Sequence, residues 1–353
     1  MKGRPGMALL MTLSILLVLS LGLAKSFEDR ALERRHLEAT RSRFLLENLS
    51  RSVVRGLIQV IRQAGYWELV GSSQGIKRFP PGVIVPLSEE SGISNLSVRS
   101  LDSLYNLRQI YKPASPQAKL LEQTLNQIYA GRAEQSLAPN VEEVMSAIND
   151  YQDLDSDPDQ HFPYGAEQYP QAHPVFEVKN AQFDVLSEVK VLPSFVRLGL
   201  TQRELEQNFR VIGDLESHLE VNNASKAEIS AFLDRFSGVG EPYPNIGRLK
   251  SELLEVLSKK DPLGMEPTFD HPFERRGSVF EQEMANRGLF DQLTLAEKAL
   301  FVGVPKLVEM RFTLHYGSLS RQVVAQMRLQ FGGKGKGKLP SVTGVTLASL
   351  QVY

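Results

Sequence analysis

The strongest constraint on this chain is a stretch without proline. None occurs between Pro5 and Pro80. Within it, Met7 to Ala24 reads MALLMTLSILLVLSLGLA, 18 residues without a charge, close to the lower limit for a helix that crosses a bilayer. Lys25 ends the run, and Glu28, Asp29, Arg30, Glu33, Arg34 and Arg35 follow. From Phe27 to Ile61 the apolar residues Leu46, Leu49, Val53, Leu57 and Val60 recur at steps of three or four, with charged residues on the other face. The pattern predicts one helix from Met7 to about Ala64, roughly 87 Å long at about 1.5 Å per residue. Its first part suits lipid and its second part suits packing on a soluble domain.

The six residues before the run, MKGRPG, carry Lys2 and Arg4. Three readings fit this start. It is a secretory signal cut after Gly22-Leu23-Ala24, or a plain N-terminal anchor, or a prepilin-type leader cut after Gly6 that leaves the whole run on the mature protein. The helical pattern continues past Ala24. A cleaved signal gives no reason for that continuity, so the third reading is preferred.

Beyond Tyr66 the pattern changes. Short strand-like pieces, notably Gly82 to Leu87, lie between Gly and Pro. After Leu101 the chain reads as helical. Asn140 with Glu143, Thr201 with Glu204, Ser225 with Glu228 and Thr294 with Glu297 each set an N-cap oxygen three residues before a Glu. From Val308 the period becomes two: Met310, Phe312, Leu314 and Tyr316 alternate with Arg311, Thr313 and His315. Val323–Phe331 and Val345–Tyr353 are further predicted strands. Gly332–Lys338 (GGKGKGK) is a flexible connector between them, without the GxxxxGK[ST] pattern of a phosphate loop.

Composition removes several functions. With 40 Lys and Arg against 41 Asp and Glu, the chain is not a globally basic nucleic-acid binder. Cysteine is absent, which excludes disulfides, Cys-ligated metals and thiol nucleophiles. The six histidines are scattered without an HExxH pair, and no G-x-S-x-G elbow occurs. His161 and His173 lie near acidic residues, which leaves a His–carboxylate metal-dependent hydrolase as an alternative. The lone Trp67 is expected in the core.

The strongest constellation is acidic. Ala133 to Val178 holds ten Asp and Glu and no Lys or Arg. Crowded carboxylates raise one another's pKa, and a hard divalent cation relieves the repulsion. Asp153, Asp155 and Asp157 have the D-x-D-x-D spacing of a tight calcium loop, beside Asp150, and Glu167 follows to return a further carboxylate. Pro158 stands where an EF-hand needs its turn glycine, so the loop is not one. The plain alternative is a solvated acidic loop. The end of the chain has the opposite bias: after Glu309 only basic charges remain, among them Arg311, Arg321, Arg328, Lys334, Lys336 and Lys338. That suits a solvated basic strand pair, or docking to an acidic partner or to lipid headgroups.

Five segments and the leader together resemble the K-type minor pseudopilins of bacterial type II secretion systems, the general secretion pathway protein K family. Gly6-Met7-Ala8-Leu9-Leu10 is similar to the family's prepilin-peptidase site. Glu89-Glu90-Ser91-Gly92-Ile93-Ser94-Asn95-Leu96 resembles its segment after the first strands. Asp150-Tyr151, Asp153-Leu154-Asp155, Gly165-Ala166-Glu167 and Tyr169 resemble its acidic block. Leu186-Ser187-Glu188-Val189 and the turn from Leu219 to Ser225 resemble two further blocks in the right order. The chain departs from the family at Tyr151, where Trp is usual, and at Asn222-Asn223-Ala224, which lacks a Thr. Met11 stands where most pilins have Glu, a departure that the K family shares.

The resemblance implies an α+β fold: a long pilin-like helix packed on a small antiparallel sheet, with a large mainly helical domain inserted. The divisions are a leader (1–6), a transmembrane part of the helix (7–24), the rest of the helix with the first strands (25–100), the inserted domain with the acidic loop (101–305), and the last strands (306–353). It implies cleavage after Gly6 and methylation of Met7 by the prepilin peptidase. It also implies Ca²⁺ at Asp150, Asp153, Asp155, Asp157 and Glu167. The implied role is non-enzymatic: starting and capping the secretion pseudopilus with the I-type and J-type minor pseudopilins and the major pseudopilin. The implied location is the bacterial inner membrane, crossed once, with the soluble part in the periplasm. A subunit of a type IV or DNA-uptake pilus is the alternative within the same class.

Overall fold

The computed structural model describes residues 5–64, 84–130, 140–166, 168–169, 176–221, 224–258, 279–302, 305–317, 319–332 and 341–353. Trp67, His173, Asn222, Asn223 and Lys334–Lys338 lie outside them, as do Gly82 and Val83.

Helix α1 runs unbroken over Pro5–Ala64, 60 residues. Pro5 sits in its first turn, where a missing N–H costs nothing. The backbone is helical through the 7–24 run, but the side chains of that run, apart from Ser20, are not described. Among the described residues no helix is long and apolar enough to cross a membrane. The side chains of residues 25–40 are all exposed, so α1 stands clear of the folded body there. Farther on it packs through Leu46, Ser50, Val54, Leu57 and Ile61. This seam is rotated from the expected one. Leu49 and Val53 are half-buried at its flank, and Val60 is 43% exposed. A serine is tolerated in the seam because Ser50 Oγ donates to the Leu46 carbonyl at 2.6 Å.

Under α1 lies a five-stranded antiparallel sheet with its strands in sequence order: β1 (Val85–Pro86), β2 (Ser91–Ser100), β3 (Leu307–Tyr316), β4 (Leu319–Gly332) and β5 (Ser341–Val352). The alternation read from the sequence sets its two faces. Val308, Met310, Phe312 and Leu314 are buried in one core with the helix seam. On the other face Glu309 is 2% exposed. It accepts from Arg99 Nε at 2.8 Å, Arg311 Nε at 2.5 Å and Gln326 Nε2 at 3.1 Å. Gly92 lets β1 approach β2: a Cβ there would meet Ile84 Cγ2 at 2.5 Å and the Val85 carbonyl oxygen at 3.0 Å.

Between β2 and β3 the chain builds a second, helical core. Its described helices are α2 (Pro116–Ala130), α3 (Val141–Gln152), α4 (Pro193–Leu198), α5 (Gln202–Asn208), α6 (Lys226–Ser237), α7 (Ile246–Leu257), α8 (Val279–Asn286), α9 (Leu289–Gln292) and α10 (Leu295–Ala299). All four predicted caps form. Asn140, Thr201, Ser225 and Thr294 each accept the N–H of the Glu three residues on, and the last three complete the reciprocal box. Glu297 does more than cap α10. Fully buried, it also accepts from the backbone N–H of Asn245 at 2.6 Å and of Ile246 at 3.1 Å, tying α7 to α10.

The two cores meet at a buried polar junction. The Leu101 N–H donates to the Leu307 carbonyl at 2.9 Å, and Asp102 Oδ2 accepts the Lys306 N–H at 2.6 Å. The Arg210 guanidinium, 3% exposed, donates to the carbonyls of Leu104, Ile212 and Glu216. A helix-side strut is added by Arg311, whose Nη2 lies 2.6 Å from Glu206 Oε2 of α5.

Candidate functional site

The acidic segment begins in the last turn of α3 and runs as a loop to Ala166. Its foundation is buried. Asn149, 2% exposed, accepts the Tyr111 N–H at 2.7 Å and donates to the Tyr111 carbonyl at 3.0 Å and to Asp159 Oδ2 at 2.7 Å. Asp150 is wholly buried, and each of its oxygens accepts a backbone N–H at 2.6 Å: Oδ1 from Asp159, Oδ2 from Ala166. Asp150 therefore closes the loop upon itself. Gly165 permits that closure, since a Cβ there would meet Asp159 N at 2.6 Å. Tyr151 stacks on Phe183 with ring centroids 4.5 Å apart, and its hydroxyl donates to Glu188 Oε2 at 3.1 Å.

Asp153 ends α3 as its C-cap, and its Oδ1 is buried without a hydrogen-bond partner. Burial, and then the charges of Asp155, Asp150 and Asp159, push its carboxyl up to about 6. Burial also raises Asp150, against the two N–H bonds that lower it. The expectation that crowding raises carboxyl pKa values thus holds in direction at these two residues, with burial as the larger cause. Asp155 and Asp157 are exposed and form a tight turn, the Asp157 N–H donating to Asp155 Oδ1 at 3.0 Å. Asn180, in the left-handed region at φ 50°, donates from Nδ2 to the Asp155 carbonyl at 2.5 Å. Its own Oδ1 is buried and unpartnered. His161 sits beside Asp159, with Nδ1 3.0 Å from Oδ1.

The structure thus brings Asp150, Asp153, Asp155 and Asp159 within electrostatic reach of one another. Glu167 lies outside the described residues. The donor set is hard oxygen throughout, and two buried oxygens, on Asp153 and Asn180, lack a partner, so its chemistry suits a hard divalent cation. Among the described residues, no three Asp, Glu or His side chains converge as a ligand set. Asn149, Asp159 and Asn180 lie outside the ligand set expected from the sequence. Asp159 continues the acidic series at the same two-residue step and was legible on that ground. The two asparagines act through partners far along the chain and gave no local signal.

The exposed length of α1 carries large apolar side chains. Phe27, Leu37 and Phe44 are 68, 70 and 65% exposed. A single exposed apolar residue is ordinary, but several large ones on one helix are typical of surfaces that meet another protein or a membrane.

The sequence matches no protein-family model and no curated protein. It does resemble a solved structure, the GspK-GspI-GspJ complex of the Type 2 Secretion System from enterotoxigenic Escherichia coli. The alignment covers 89% of this chain and 99% of a chain of that complex, with a TM-score of 0.52 and 12% sequence identity. At that identity the likeness is one of fold. The long helix, the antiparallel sheet and the helical domain correspond.

Proposed function

We propose that this chain is a K-type minor pseudopilin, a non-enzymatic subunit that starts and caps the pseudopilus of a type II secretion system. The observation that carries the reading is architectural. A 60-residue helix lies on a meander sheet whose second and third strands are split by a large helical insert. The fold likeness takes in nearly all of a chain from the GspK-GspI-GspJ complex of a Type 2 Secretion System. In this reading the 7–24 run anchors the protein in the inner membrane, with the soluble part in the periplasm. The prepilin peptidase cuts after Gly6 and methylates Met7. The exposed apolar side chains of α1 pack against the major pseudopilin and the I-type and J-type subunits. The bulk of the insert supports a position at the filament end, where it has room that packing along the side would deny it.

Calcium belongs to the same proposal. It would be held by the oxygens of Asp153, Asp155, Asp157 and Glu167, with Asp150 closing the loop that presents them. A bound cation would neutralise a segment that has no Lys or Arg between Ala133 and Val178.

The mass of the mature protein tests the reading. A methylated N-terminus at Met7 is the expected result. A chain starting at Lys25 or at Met1 refutes it.

A further inference from the structure

The basic bias at the end of the chain is not accounted for by the acidic loop. The structure sorts these cations. Arg311 is held by Glu206 and Glu309 at 2.6 and 2.5 Å, and Arg328 lies 3.3 Å from Asp214. Arg321 is different. Its guanidinium donates to the Ser320 carbonyl at 3.3 Å and, among the described residues, meets no carboxylate.

Arg321 shares a cleft of 790 Å³ with Arg43, Arg51 and Arg55 of α1, between that helix and β5. The helix residues at 43, 47, 51 and 55 step by four, so they form one row on one face. Glu47 is the acidic member of that row and is taken by Arg51 at 2.8 Å. Arg43, Arg55 and Arg321 are left without an acidic partner among the described residues. The cleft also has an apolar side from β5: Leu347 is 39% exposed, and Leu350 and Val352 are half-buried.

We propose that this cleft docks an acidic segment of a partner protein chain, one that presents carboxylates to the arginines and an apolar strip to β5. The inference rests on the assembly reading above and adds to it a face and a chemistry. Charge complementarity sets the occupant: three uncompensated arginines beside apolar surface select an anionic, amphipathic polypeptide. Recognition runs through side chains rather than by adding a strand along β5. That edge has register shifts against β4 at Gln326/Met327 and Gln330/Phe331, and its Val345 carbonyl is taken by Arg62 Nη2 at 3.1 Å. Lipid is a poorer occupant. Arg43 lies about 28 Å along the helix past Ala24, against a screening length of about 8 Å in physiological salt. A two-fold pairing of two copies through the cleft would set arginine against arginine.

The test titrates the full-length protein, in phosphatidylcholine nanodiscs, with full-length I-type and J-type subunits. The variants are the triple reversal Arg43→Glu, Arg55→Glu, Arg321→Glu, its neutral Gln counterpart, and Arg248→Glu on α7 as a control. The expected result is wild-type binding to one of the two subunits that weakens with salt. The triple reversal lowers affinity by about 100-fold, the Gln variant falls between with a flatter salt response, and the control matches wild type. Wild-type binding that the reversal leaves unchanged overturns the cleft proposal and keeps the assembly reading. Absence of wild-type binding to either subunit overturns both. Binding that needs phosphatidylglycerol in the disc assigns the cleft to lipid, and self-association abolished by the reversal assigns it to a second copy; each overturns the proposal.

Discussion

Asp153→Asn separates the metal-free loop from the metal-bound one by the sign of its effect. In the folded chain without metal, Asp153 titrates near 6, against its ordinary 3.8. A carboxyl raised by folding favours the folded state when protonated. That contribution is full below pH 3.8 and is lost as pH rises through about 6. If fully transmitted, the loss would be about 3 kcal/mol above pH 6. Solvent at this partly exposed loop screens it to about 1 kcal/mol. With chelator at pH 7.5, Asp153→Asn is therefore expected to stabilise the protein by about 1 kcal/mol, or about 1–2 °C in Tm. At pH 3.5 it changes little. With saturating calcium the order reverses. Wild type gains stability from the bound ion, and the variant, having lost a ligand charge, gains less and melts below it. Thermal melts of wild type and variant, with and without calcium at both pH values, give the answer. A Tm difference of the same sign in chelator and in calcium at pH 7.5 would rule out a calcium ligand at Asp153, as would a wild-type Tm that ignores calcium.

Three further outcomes follow from the fold. Glu297→Ala strips an acceptor from the N–H groups of Asn245, Ile246 and Thr294 and is expected to cost about 3 kcal/mol in denaturant unfolding. Burial favours the neutral form of Glu297, but hydrogen bonds from Thr294 and Asn245 outweigh it and lower the pKa below 4.5. Wild type should therefore lose this stabilisation as pH falls below 4.5, through the lower folded pKa, and a variant melting like wild type at pH 7 would contradict the capping role. Ile61→Ala should cost about 2–5 kcal/mol, whereas Val60→Ser one position away should stay within about 0.5 kcal/mol; equal costs would mean that the helix seam is wrongly placed. Gly92→Ala forces a Cβ onto Ile84 and Val85 and should lower stability by about 1–3 kcal/mol, which a neutral result would contradict.

Much of this fold is legible in the sequence because its signals are local. The absence of proline dictates a continuous α1, the four N-cap pairs set helix starts, and the period-two run from Val308 lays down β3. The helix seam is less legible. Ser50 belongs to it but is polar, and its self-satisfied hydroxyl breaks the apolar period, so the pattern points one residue aside to Leu49 and Val53. The acidic loop is legible as a crowd of charge with no basic neighbour. Its architecture is not, because Asn149 is anchored on Tyr111, and Asn180 on Asp155, across long stretches of chain. The arginine cleft is invisible for the same reason: β5 reaches α1 only after the whole helical insert has intervened.

A minor pseudopilin is defined by assembly with its partner subunits. Co-expression of the full-length protein with I-type and J-type subunits, detergent extraction and size-exclusion chromatography with mass determination test it most directly. The expected result is one species that contains all three chains. Elution of this chain by itself, at the same position whether or not the other two are present, would contradict it.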